Sequence, residues 1–207
     1  MRRASPPRPG LRLAHWLALA LALAAGSDPA LGQSSAAQAA PPDYRIEVVV
    51  FTQPPLGGER REQPDSTPEP LPGRMAWPLR ETESGLLGYR RLAPAAHRLG
   101  LAARRLAARS GFNVLWHAAW EQAGLGPAQA PAVALPATLR RDGLSGFVRV
   151  YRQRFLHVEA ELRYRQADGI HWSMSQSRRM RSGRQHYLDH PVLGVLVRID
   201  EVDATAD

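Results

Sequence analysis

No cysteine occurs in this chain, and no lysine. The first absence excludes disulfides, thiol nucleophiles, thiolate metal sites and lipoprotein acylation. It does not exclude export, because a chain of 207 residues buries enough apolar surface without covalent staples. The second absence leaves arginine to carry all the positive side-chain charge. Genome base composition produces that usage as readily as selection for guanidinium chemistry does, so only the distribution of arginine is informative. Long apolar runs are also scarce, and Trp16 to Ala25 is too short to serve as a permanent bilayer anchor. Gly-x-Ser-x-Gly, His-Glu-x-x-His and a phosphate-cradling glycine loop are missing too. Their absence removes the common hydrolase, metalloprotease and nucleotide-binding signatures.

What is present begins with the pattern of an exported chain. Arg2, Arg3, Arg8 and Arg12 accompany the apolar run, and small residues follow at Ala30-Leu31-Gly32 and Ala37-Gln38-Ala39. Residues 1–32 are expected to be a signal peptide, with cleavage after Gly32 or Ala39, and 33–43 a flexible leader. The product is expected in the periplasm with no stable membrane anchor. Losing four Arg and one Asp with the signal takes the formal charge from +8 to +5. Between Arg140 and Arg184 eleven arginines stand against four acids, whereas residues 201–207 form an acidic tail. A basic balance confined to one region favours an anionic partner there.

Residues 44–200 are expected to form a single α+β domain. The expected architecture is a mostly antiparallel sheet of about five to six strands with one main helix packed on one face. Tyr44 to Phe51 alternates and then becomes continuously apolar, as a central strand covered on both faces does. The stretch 53–80 is rich in Pro, Glu, Gly and Ser and reads as a loop insertion without secondary structure. Leu92, Ala95, Ala96, Leu99, Ala103 and Leu106 recur at helical spacing, and Gly111 supplies a stop. Phe112 to Gln122 reads as a strand with Phe112, Val114, Trp116, Ala118 and Trp120 on one face and Leu115, His117 and Glu121 on the other. There His117 is expected to be a hydrogen-bonded, half-buried histidine. Ala123 to Pro136 reads as a loop. An antiparallel meander follows over Leu144–Tyr151, Arg154–Arg165 and His171 onward, with one apolar face.

The other face of that meander mixes Arg149, Tyr151, Arg154, Phe155 and His157 with Glu159, Glu161 and Arg163. The run Ser177 to Pro191 adds Arg178, Arg179, Arg181, Arg184, His186, Tyr187, Asp189 and His190. A planar guanidinium matches a carboxylate or phosphate bidentately, and flat rings suit the apolar faces of sugars. Arg149, Tyr151, Arg154, His157, Arg178, Arg179, Arg181, His186 and Tyr187 are therefore the candidate ligand-binding residues. His186, Asp189 and His190 are metal-ligand types, but Asp-His-Pro is also what a turn looks like. Neither catalytic residues nor a metal or cofactor are expected. Nucleic acid would suit such a surface, but export makes it an improbable partner.

Several stretches together resemble the CsiV family of exported proteobacterial peptidoglycan-binding proteins. They are Tyr44–Phe51, Val114–Gln122, Arg154-Phe155-Leu156-His157, Ser177–Gly183, His186–Pro191 and Gly194-Val195-Leu196-Val197. The likeness runs in order over nearly the whole mature chain, with one departure, Arg184-Gln185 where an acidic residue and Leu are expected. The resemblance implies a non-enzymatic protein that binds peptidoglycan and supports wall assembly. It also implies a class A penicillin-binding protein and its lipoprotein activator as partners. Two other readings remain open: an adaptor of the wall-synthesis machinery without direct glycan binding, and a metal-dependent hydrolase built on His186, Asp189 and His190.

Overall fold

The computed structural model describes residues 42–54, 64–65, 76–79 and 89–202. The expected signal peptide, most of the leader, most of the 53–80 insertion and most of the acidic tail lie outside the described residues. Ten strands and one α-helix are described. The strands are β1 (Asp43–Thr52), β2 (Ala76–Pro78), β3 (Arg90–Arg91), β4 (Asn113–Ala123), β5 (Ala132–Ala134), β6 (Leu144–Arg152), β7 (Leu156–Arg165), β8 (His171–Met180), β9 (Gln185–Asp189) and β10 (Leu193–Glu201). The helix, α1, spans Gly100–Ala107, and short 3-10 turns cover Pro94–Ala96 and Ala137–Arg140.

The expected single sheet of five to six strands is instead two sheets of five, ordered β3-β4-β1-β10-β9 and β2-β5-β6-β7-β8. Every pairing is antiparallel except the short β2–β5 contact. The physical reason is coverage. An eight-residue helix shields only part of one sheet face, so the apolar side of the meander needs another sheet. Ile46, Val48, Trp116, Trp120, Val195 and Val197 of the first sheet share one core with Val148, Val158, Leu162, Trp172 and Met174 of the second. On the far side of the first sheet, Leu99 and Ala103 at the start of α1 cover Val49, Phe51 and Leu196. Central β1 is thus covered on both faces over its second half, as expected.

Local departures have local causes. The expected helix begins at Leu92, but Pro94 holds Ala93 extended, His97 is extended again, and α1 starts only at Gly100. The strand over 113–123 carries a register shift opposite Val50 and Phe51, where Val50 pairs with Trp116 but Phe51 with Val114. One extra residue flips the side-chain alternation. Phe112 and Val114 therefore pack with α1, not with Trp116 and Trp120 as expected, while Leu115 packs against the inter-sheet core. β5 lies in a stretch expected to be loop, and β2 in the insertion expected to lack structure. β9 was not expected; it forms because Gly183, at φ +74°, turns the chain and donates its N–H to Ile199.

Candidate functional site

The outer face of the second sheet gathers five of the nine candidate residues, and strand period places them. Tyr151 pairs with His157, and His157 with Arg179, so the three form one row across β6, β7 and β8. The Tyr151 and His157 rings stack 5.1 Å apart and 4° from parallel. Phe155, in the β6–β7 turn, is 43% exposed, so it lies at the surface and not in the core. The guanidinium of Arg179 lies 4.5 Å from its ring centre and that of Arg154 5.5 Å. Each such contact contributes about 0.5–1 kcal/mol at an exposed site.

Arg149 lies beneath this surface. It is buried, forks onto Glu159 through Nε at 2.9 Å and Nη2 at 2.8 Å, and donates Nη1 to the Pro127 carbonyl at 2.6 Å. Its guanidinium also sits 4.7 Å from the Tyr151 ring. Arg149 therefore holds Tyr151 and the 124–131 loop in place from below. The result is a platform of two aromatic rings and one imidazole, edged by two exposed arginines.

The other four candidates are placed elsewhere. Arg178 projects from the opposite side of β8 to Arg179 and donates Nη1 to the Tyr187 carbonyl at 2.7 Å. Gln176 does the same to the Asp189 carbonyl at 2.5 Å. These two side chains stitch edge strand β8 of one sheet to edge strand β9 of the other. His186 accepts the Arg181 N–H at 3.0 Å and closes the turn between β8 and β9. Tyr187 stacks on Phe51, on the helix side of the first sheet, with its hydroxyl 2.6 Å from Asp189 Oδ1 and 2.7 Å from Gln53 Oε1. Burial first, then the Asp189 carboxylate, raise its phenol well above the ordinary tyrosine range. His190 Nδ1 accepts the Val192 and Leu193 N–H groups, so Asp189-His190-Pro191 is a turn, and His186, Asp189 and His190 each serve separate bonds.

A second polar constellation, absent from the candidate residues, crosses the helix side of the first sheet. Glu47 is 2% exposed. Its Oε1 takes the Leu99 N–H at 2.9 Å and lies 2.6 Å from His117 Nε2, and its Oε2 takes the Arg98 N–H at 2.6 Å. Those backbone groups open the turn into α1, so Glu47 caps the helix from a neighbouring strand. His117 is half-buried and hydrogen-bonded, as expected. His97 lies 4.3 Å from it, ring to ring. Asp200 holds Arg98 at 2.9 Å and Arg198 at 2.8 Å, and Glu121 is clasped by Arg45 at 2.9 Å and by Arg90. Polar residues set between buried apolar neighbours, as Glu47 is between Ile46 and Val48, were the available sequence signal.

Burial alone would raise the Glu121 carboxyl, but the Arg90 and Arg45 hydrogen bonds outweigh it and hold it below its ordinary value. The stabilisation is therefore complete above the unfolded-state value of about 4.3 and is lost as pH falls through the lower folded value. Glu121→Gln is expected to lower the melting temperature at pH 7, by a margin that shrinks as the pH falls below the unfolded-state value. A gap that stays constant across a pH series would show that the ionised carboxylate is not the stabilising form.

The described residues thus form two packed sheets, and the second carries an exposed platform of rings and guanidinium groups on its outer face. The chain belongs to the CsiV family, described as peptidoglycan-binding proteins, whose family model matches residues 16–202. No curated protein matches the chain. No solved structure matches it either.

Proposed function

We propose that this protein is a non-enzymatic periplasmic module that binds peptidoglycan through the outer face of the second sheet and supports wall assembly. Membership of a peptidoglycan-binding family supports the ligand class. The observation that carries the surface is Phe155, exposed between Arg154 and Arg179 and beside the stacked Tyr151–His157 pair. Phe155 and Tyr151 would take the apolar faces of the glycan rings, and the two arginines the carboxylates of stem peptides. Arg149, committed to Glu159, supports Tyr151 without touching ligand. The secretory pattern of residues 1–32 supports the compartment.

The test is co-sedimentation of the purified chain with isolated sacculi at low salt. Phe155→Ala combined with Arg179→Ala is expected to weaken retention about tenfold or more, since one aromatic face and one charge-assisted contact are lost. Raising the salt should weaken the unmodified chain as well, because the arginines are exposed. Arg178→Ala, on the seam, should leave retention unchanged. Absence of sedimentation by the unmodified chain would remove direct wall binding and favour the adaptor reading, which cross-linking to proteins of the synthesis machinery would then support.

A further inference from the structure

We propose that Glu47, His97 and His117 form a site for one divalent transition-metal ion of the zinc type, tying the segment that leads into α1 to strands β1 and β4. The three side chains come from separate elements, and one donor atom from each lies within 4.8 Å of the other two. Ligands of a tetrahedral zinc ion at about 2.0–2.1 Å stand roughly 3.4 Å apart, so small side-chain rotations close the set. Two imidazoles and a carboxylate suit zinc, cobalt or nickel and do not suit calcium or magnesium, which take oxygen ligands.

Two further features fit a metal. Glu47 is anchored by two backbone N–H groups, one on each oxygen, which fixes the carboxylate and leaves a lone-pair direction towards the histidines. A ring nitrogen of His97 faces the Leu92 carbonyl, the kind of outer contact that fixes the tautomer of a metal-bound imidazole. The positive groups around the site do not stand alone: Asp200 pairs Arg98 and Arg198. His97 and His117 are only half-buried, so a water molecule or an external donor completes the coordination.

The proposal is independent of the platform on the second sheet, which lies across the inter-sheet core. The test uses the tag-free chain, stripped with a chelator and titrated with zinc by calorimetry, with native mass spectrometry for the count and cobalt(II) for the visible bands of a tetrahedral site. The expected result is one saturable zinc per chain, a rise in melting temperature on binding, and tetrahedral cobalt bands. His97→Ala, at a half-buried position, should keep the fold by circular dichroism and weaken binding about tenfold or more. His117→Gln keeps a hydrogen-bonding group towards Glu47 and should do the same. Absence of saturable binding, or binding unchanged in folded His97→Ala, would overturn the proposal; the second result would place the ion on other histidines, outside this cluster.

Discussion

Trp120→Ala is expected to destabilise the protein by about 3–5 kcal/mol, the range for emptying a fully enclosed aromatic site. Trp120 has no exposed surface and lies in the core shared by both sheets. Its indole N–H donates to Gln122 Oε1 at 2.9 Å, and Gln122 Nε2 donates to the Val150 carbonyl at 3.0 Å. That chain of two bonds crosses from β4 to β6, and both partners are buried. Trp120→Phe separates the two contributions. It keeps most of the apolar contact but leaves the Gln122 acceptor unpaired, which costs about 1–3 kcal/mol. Urea unfolding of the two variants measures both quantities. A phenylalanine variant as stable as the unmodified protein would show that the indole bond contributes nothing to holding the sheets together.

Glu47→Leu is expected to lower stability by on the order of 3 kcal/mol, although leucine matches the volume and the site is nearly sealed. The loss is not one of packing. Arg98 and Leu99 N–H lose their acceptor at the entry to α1, and His117 loses its 2.6 Å partner. Helix caps alone contribute about 0.5–2 kcal/mol, and the remainder comes from buried donors left without partners. Glu47→Gln keeps one acceptor oxygen and should fall between the two. Hydrogen exchange locates the effect: amides of α1 should open well before those of the inter-sheet core. A loss below about 1 kcal/mol, or uniform opening, would mean that another group holds the helix.

These two residues also show how far the chain could be read without coordinates. Trp120 was assigned by strand alternation to the face it occupies, and the same alternation gives the meander its one apolar face, where Val148, Val158 and Leu162 are buried. Period two is a property of the backbone, so it survives whatever the strands pair with. It also separates Arg178 from Arg179, neighbours that must point to opposite sides of a strand. Treating both as one ligand surface ignored that rule, and the structure puts Arg178 on the seam and Arg179 on the platform. The displacement of Phe112 and Val114 was not readable, because the bulge that flips them depends on the partner strand. Glu47 was legible as a polar residue in an apolar strand, but its helix-capping role was not. Its backbone partners lie more than fifty residues away along the chain.

By itself, then, the sequence determined the β-rich character, the meander, the presence of a helix ahead of Gly111, the family and the basic, aromatic make-up of one region. Each of these rests on local pattern or on motifs kept in order along the chain. Only the tertiary structure decided that there are two sheets, which arginines reach solvent together, and that Glu47, His97 and His117 meet. Those outcomes depend on which apolar faces bury each other, and that choice is made by strands distant in sequence.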